Sequence, residues 1–241
     1  MQDSALIKEE VKGNGFSIIR QVYTGDEVKA ILESIRSVDK NNPSFRKTAD
    51  LFAIRRLFKE IPTLLPGVFT DKLKALITNL FGSGYYVVKS IYFDKPVVSN
   101  WLVVWHQDLT ISVENKNEVI GYGPWTVKDK QYAVQPPVDI LQDNFTIRIH
   151  LDDTTSGNGA LKVIPGSHLN GIIRPETTDN DKAVVCEVPK GGVMIMKPLL
   201  LHASGRTTNG TNRRVIHIEF SRQTLPAGLQ WSEKMELSIP L

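Results

Sequence analysis

The chain predicts a mainly β fold, a sandwich or jelly roll, carried behind a helical first third. Two patterns point there. From residue 85 onward, short β-rich runs recur at 85–93, 101–108, 146–151, 160–164, 183–188, 192–196 and 213–221, punctuated by Gly, Pro and Asn, which is the rhythm of an antiparallel sandwich or barrel. Before residue 85 the apolar residues instead fall at helical spacing. With 241 residues, 41% of them hydrophobic, the chain can bury a full core, and a length of this order is within reach of one domain of that class. We therefore expect a single domain over 1–241, with the helical part, about 1–84, packed on the barrel.

Taken in order, residues 4–12 have helical character and stop at Gly13-Asn14-Gly15, and the β-branched run 16–23 predicts a strand. Thr24 is a plausible N-cap for a helix over 27–36, where Val28, Ile31, Leu32 and Ile35 line one face. Residues 37–49 are polar and contain Asn41-Asn42-Pro43, a loop signal. A basic helix is expected over 51–61, and another over 71–81, opened by Thr70 and ended by Gly82. Residues 111–143, with Trp125, Tyr132 and Pro136-Pro137, are too long for an ordinary connection. They read as a lid or binding loop.

Composition narrows the function. The net charge of +3 arises from 29 basic and 26 acidic residues with no block of like charge, so neither a nucleic acid nor a membrane surface is an expected partner. The single cysteine, Cys186, excludes an internal disulfide and a cysteine zinc cluster. It reads as a buried apolar residue in a reducing compartment. The first fifteen residues lack the apolar run of a secretory leader, and nowhere do about 18 apolar residues run together. A cytoplasmic location is the expectation, and oligomeric state leaves no signal.

The chemistry gathers around Trp101-Leu-Val-Val-Trp-His-Gln-Asp108, which reads as a buried strand with His106 and Asp108 two residues apart. In a strand such residues project side by side. Two His and one carboxylate on one face of a cation, with the other positions open, form the site of non-haem iron(II) oxygenases. A second His is needed. His150, His168 and His217 read as structural, whereas His202 follows the apolar run 194–201 and stands at a strand end, 94 residues after Asp108. Arg213, 11 positions further on, opens the next strand, where a planar guanidinium could grip a carboxylate through two parallel hydrogen bonds. It could equally form a structural ion pair with Glu219 or Asp152.

Here the sequence resembles the phytanoyl-CoA dioxygenase family of iron(II)- and 2-oxoglutarate-dependent oxygenases. The resemblance rests on the segment from Asn100 to Asp108, on Asn158-Gly-Ala-Leu-Lys-Val-Ile-Pro-Gly-Ser-His168, and on His202-Ala-Ser204 followed by Arg213-Arg214. It implies a double-stranded β-helix, a jelly-roll barrel with helices outside it, binding Fe(2+) through His106, Asp108 and His202. It further implies that Arg213 pairs with the distal carboxylate of the co-substrate 2-oxoglutarate, with Ser204 as a hydroxyl donor beside it, and that O2 is the second co-substrate. Asn100 lies on the face of His106 and could point to the same cavity. One departure stands out: where family members often carry an aromatic residue 20 positions before His168, this chain has Arg148, which could hold 2-oxoglutarate, hold an anionic substrate, or pair with Asp143. The implied reaction is hydroxylation of an unactivated carbon of a small or medium-sized metabolite, with release of succinate and CO2. The retained Asp108 argues against halogenation. Two competing readings are a jelly roll that binds a metal for sensing without turnover and a lectin-like structural protein with no metal; neither accounts for Arg213.

Overall fold

The computed structural model describes residues 3–38, 45–47, 52–97, 101–128, 131–174 and 180–237. The chain opens with α1 (Ser4–Asn14), whose first turn is capped by the Asp3 carboxylate and whose end is Gly15 at φ 83°, a conformation that only glycine adopts at little cost. Strand β1 (Phe16–Ile19) follows, shorter than the expected 16–23. In α2 (Gly25–Arg36), Thr24 and Glu27 form a reciprocal capping box, and the four residues of the predicted apolar face are all buried. The expected basic helix over 51–61 is a correction. That stretch forms strand β3 (Phe52–Arg55), preceded by β2 (Phe45–Lys47), and only one helical turn, α3 (Leu57–Glu60). Arg56, at φ 51°, separates strand from turn, and pairing of β3 with the neighbouring strand outweighs its helical pattern. The turn α4 (Leu65–Val68) leads to α5 (Asp71–Phe81), capped by Thr70 as expected.

The remaining strands are β4 (Tyr86–Lys95), β5 (Val103–His106), β6 (Ile111–Val113), β7 (Trp125–Lys128) and β8 (Gln131–Val134), followed by helix α6 (Val138–Asp143). Then come β9 (Phe145–His150), β10 (Leu161–Val163), β11 (Val184–Cys186), β12 (Val193–Met196), β13 (His202–Ser204), β14 (Arg213–Ser221) and β15 (Met235–Glu236). The major sheet runs β1-β12-β9-β14-β4-β3-β2, with β15 also paired to β4; a minor sheet runs β11-β10-β13-β5. The strand pairings within these sheets are antiparallel throughout the described residues. This is the expected jelly roll with helices outside it.

Alternation decides what each sheet face holds. On the helix side, Phe145, Ile147 and Ile149 of β9 and Ile216, Ile218 and Phe220 of β14 join the apolar faces of α1, α2 and α5 in one core. Each such side chain, fully removed from water, stabilises the fold by about 1.5–3 kcal/mol. On the opposite face, Met194 and Met196 meet Leu161, Val163 and Cys186 of the minor sheet, closing one end of the barrel. Cys186 is buried as expected, and burial pushes its thiol up to about 12. The other end of the barrel holds charge.

The segment 111–143, expected as a lid, is a second correction. It builds a small sheet of its own, β6-β8-β7, and α6. Its apolar residues Ile111, Val113, Val134, Ile140 and Leu141 pack with Tyr86, Val88 and Trp231. None of its described residues lines the cavity described next.

Candidate active site

Between the two sheets lies a cavity of about 230 Å³. The minor sheet supplies His106, His202 and Ser204 to its wall, and the major sheet supplies Lys89, Arg148, Arg213, His217 and Glu219. His106 ends β5 and His202 begins β13, and the two are directly paired across the strands. Asp108 lies beyond the end of β5, so its place beside His106 is not a strand alternation. It is fixed instead by its own N–H, which donates to the carbonyl of Pro198 at 2.9 Å. Nor is β5 buried, since Val104 is 71% exposed. Gln107 faces away and is fully used: its amide donates to the carbonyls of Leu199 (2.6 Å) and Gly171 (2.8 Å) and accepts from Ile173 N–H (2.9 Å).

Both imidazoles are set by the same local device. His106 Nδ1 donates to the carbonyl of Val104 and His202 Nδ1 to that of Leu200, each at 2.8 Å. A carbonyl only accepts, so each Nε2 carries the free lone pair. These nitrogens stand 3.9 and 3.8 Å from the Asp108 oxygens, and the ligand atoms of the three residues all lie within 4.8 Å of one another. A metal sits about 2.0–2.2 Å from such atoms, which puts ligands on one face of it about 3 Å apart, so an ion here would draw these atoms slightly closer together. Asp108 Oδ2 is buried without a hydrogen-bond partner among the described residues, a costly state that a cation would relieve. Burial alone would raise the Asp108 carboxyl, but His202, His217, Lys89 and His106 outweigh it and hold the group well below the usual carboxylate range. Burial pushes His202 down to about 4 despite the neighbouring Asp108. An ionised carboxylate and a neutral imidazole are the forms a metal requires. The residues present fit a divalent metal.

A second group, Asp108, His217 and Glu219, has its potential ligand atoms equally close, but its hydrogen bonds exclude a metal. Arg148 Nη1 only donates, so His217 Nδ1 accepts from it at 3.0 Å. His217 Nε2 then carries the proton and donates to Glu219 Oε1 at 3.1 Å, leaving no lone pair. Glu219 also takes Lys89 at 2.8 Å. The result is a chain of side chains, Lys89-Glu219-His217-Arg148, running across β4, β14 and β9. His217, expected to be structural, is thus part of the cavity wall. Its position on the face of Arg213 and Glu219 was legible from alternation, whereas its partner on the flanking strand, Arg148, was not.

Arg213 is 5% exposed, and its Nε and Nη1 have no partner among the described residues. Neither of the alternative acids is its partner: Asp152 is gripped by the next residue, Arg214, through two bonds of 2.8 and 2.5 Å, and Glu219 belongs to Lys89 and His217. Burial, and then the like charge of Arg148, push Arg213 down to about 9. It still carries its charge at neutral pH, and an anion in the cavity would meet two guanidinium groups. Arg148 is likewise buried, with no partner for its Nε among the described residues; Asp143, considered as its acid, is bound instead by Arg222. Ser204 lies on the same wall as His202. Asn100 falls outside the described residues, while its neighbour Trp101 lines the cavity together with Phe93.

The motif from Asn158 to His168 supports this site from behind. Gly159, at φ 83°, lets its backbone approach Gly205 so closely that a Cβ would stand 2.6 Å from the Gly205 carbonyl. The Asn158 amide donates to the carbonyls of Asp153 and Asn212, tying the entry of β14 in place. Ser167 Oγ accepts from Leu201 N–H at 2.8 Å, one residue before His202.

A two-sheet barrel with this arrangement at its open end defines the double-stranded β-helix class, and known structures share it. The carbocyclase SnoK of nogalamycin biosynthesis, described as non-heme and alpha-ketoglutarate dependent, superposes with a TM-score of 0.68 at 16% identity, over 91% of this chain and 84% of that one. EvdO2 from Micromonospora carbonacea var. aurantiaca gives 0.66 at 18% identity, over 95% and 96%. At such identities the likeness establishes the fold. The family follows from sequence: the model of phytanoyl-CoA dioxygenase (PhyH) matches residues 11–215, and the chain belongs to that family of iron(II)- and 2-oxoglutarate-dependent dioxygenases, which act on small molecules. Among curated relatives, dioxygenase himG of Aspergillus japonicus is 30% identical over 94 residues, 36% of this chain and 29% of that protein. An uncharacterized protein of Mycobacterium tuberculosis is 35% identical over 77 residues, 32% and 28% respectively. The matches thus span less than a third of these relatives' length. No described helix is long and apolar enough to cross a membrane.

Proposed function

We propose that this chain, as a single domain, hydroxylates an unactivated carbon of a small or medium-sized metabolite, consuming 2-oxoglutarate and O2 and releasing succinate and CO2. In this reading His106, Asp108 and His202 hold Fe(2+) through Nε2, a carboxylate oxygen and Nε2. Arg213 receives the distal carboxylate of 2-oxoglutarate, with Ser204 as a hydroxyl donor beside it and Arg148 as a second cation facing the co-substrate. Iron(II), when bound, supplies the oxidation by coupling O2 to decarboxylation of the co-substrate. The protein's part is to orient the reacting groups and exclude water. The backbone carbonyls on the two Nδ1 atoms fix which nitrogens face the metal, and the Lys89-Glu219-His217 chain holds Arg148 against the cavity.

The observation that carries the reading is Arg213: a buried guanidinium whose Nε and Nη1 have no partner among the described residues, in the same cavity as three convergent candidate ligand atoms. A metal site for sensing alone has no need of it. The test is succinate formation by the purified chain with iron(II), O2 and 2-oxoglutarate across a panel of small metabolites. Substrate-stimulated succinate that vanishes in His202→Ala supports the proposal; bound iron with no succinate from any metabolite, and no uncoupled decarboxylation, sinks it.

A further inference from the structure

A second, roomier cavity lies apart from the active site. About 490 Å³ in volume, it opens between α1, α5, α6 and the run 197–199, and shares no lining residue with the active-site cavity. Its walls are apolar, formed by Val11, Leu80, Phe81, Leu141 and Leu199, and its size is that of a small-molecule pocket. The ionisable side chains that line it are Lys8, Lys12, Lys197 and His168, with no acid among them.

Lys197 is the informative one. Its ammonium donates to the carbonyl of Asn144 at 2.7 Å and more weakly to that of Asp143 at 3.5 Å. The Asp143 carboxylate is turned elsewhere, to Arg222, Gln223 and Tyr85. Burial pushes Lys197 down to about 8, offset in part by Asp143, so the group is still mostly charged at neutral pH. A partly buried ammonium whose hydrogen bonds among the described residues go to neutral carbonyls is electrostatically incomplete. Lys8 and Lys12, one turn apart on α1, add charge of the same sign at the rim. An anionic head and an apolar body are what these walls complement.

The geometry points to a second ligand site here, for a free carboxylate on an apolar chain, with its head on Lys197 between Lys8 and Lys12 and its chain against Val11, Leu80, Phe81 and Leu141. The site adjoins the metal centre through one backbone run. Pro198 accepts from Asp108 N–H, Leu199 accepts from Gln107, and Leu200 accepts from His202 Nδ1. This inference does not depend on the oxygenase reading, since it involves neither the metal ligands nor Arg213.

The test is titration of the full chain with octanoate, octanol and acetate, by calorimetry and by amide shifts in NMR. Octanoate is expected to bind at least about tenfold more tightly than either of the others, with shifts concentrated at residues 8–12, 80–81, 141–142 and 197–199. Lys197→Met, which keeps the aliphatic stem, should weaken octanoate about tenfold, Lys197→Arg should restore most of it, and Lys12→Glu on the exposed face of α1 should weaken it severalfold. Because a carboxylate could instead enter the active site, Arg213→Ala serves as the control and should leave octanoate binding unchanged. Equal binding of octanol and octanoate, no effect of Lys197→Met, or loss of binding in Arg213→Ala would each overturn the site.

Discussion

The two walls of the active-site cavity are organised by different means. On the minor-sheet wall the candidate ligands are held by main-chain carbonyls: the His106 ring by the carbonyl two residues back, the His202 ring likewise, and Asp108, through its backbone N–H, by the carbonyl of Pro198. On the major-sheet wall the groups hold one another across three strands, Lys89 to Glu219 to His217 to Arg148, and Arg213 is left open. On the first wall each residue is held by a separate main-chain carbonyl, independently of the other two. The second is a network, in which removing one member leaves a buried neighbour unsatisfied. The minor-sheet wall is therefore where single changes should abolish chemistry, and the major-sheet wall where they should grade co-substrate affinity.

The largest effects should come from the minor-sheet wall. His106→Ala, Asp108→Ala or His202→Ala is expected to reduce succinate formation on the order of a thousandfold or more, with little change in the circular dichroism spectrum. Asp108→Gly keeps both imidazoles and should lose hydroxylation while retaining some iron, measurable by metal analysis after gel filtration. Wild-type turnover in any of these variants would remove the triad.

Arg213 comes next. Truncating one half of a buried charged hydrogen-bonded pair costs about 2–5 kcal/mol, so Arg213→Ala should weaken 2-oxoglutarate roughly 30- to 4,000-fold. Arg213→Lys keeps the charge without the two-pronged geometry and should fall between. The readout is the apparent KM for 2-oxoglutarate at saturating iron; near-normal values for Arg213→Ala would leave the open guanidinium without a role.

The same contrast explains what was legible in the sequence. Local constraints leave local signatures: the capping box of Thr24 and Glu27 and the apolar face of α2 were readable because their determinants lie within one turn. The juxtaposition of His106 with Asp108 was readable too, though strand alternation was the wrong reason, because Asp108 has already left β5. Cross-strand constraints leave no such trace. The contact of His217 with Arg148 left no trace because it forms only once β9 and β14 pair. Residues 52–55 looked helical because their pairing with β4 is set by tertiary structure, and 111–143 looked like a lid because three very short strands carry too little pattern to be seen. Limited proteolysis checks that last revision: the segment should resist cleavage equally with and without metal, 2-oxoglutarate and substrate.

Within the major-sheet wall, His217→Phe removes the acceptor of Arg148 and a donor to Glu219 while keeping a ring of similar size. Arg148 would then be less firmly held, and a cost of about 1–2 kcal/mol, roughly 5- to 30-fold in KM for 2-oxoglutarate, is expected with iron content unchanged. An equal loss of iron would show that the two walls are not separable in this way.

The smallest effect on co-substrate binding should come from the neighbour of the most sensitive residue on this wall. Arg214 follows Arg213 in β14, carries the same charge and points to the other face, where it grips Asp152 with side chains 17% and 19% exposed. Arg214→Ala should leave the KM for 2-oxoglutarate within about threefold of wild type, because a charge on the far side of the sheet is bonded to its own acid and presents no donor to the cavity. It should instead cost stability, about 1 kcal/mol for a partly exposed two-pronged pair, seen as a lower midpoint of urea unfolding. The pair Arg213→Ala and Arg214→Ala thus separates affinity from stability at adjacent positions. The reverse pattern, a crippled KM in Arg214→Ala beside a near-normal one in Arg213→Ala, would mean that the register of β14, its inward face and the co-substrate assignment are wrong together.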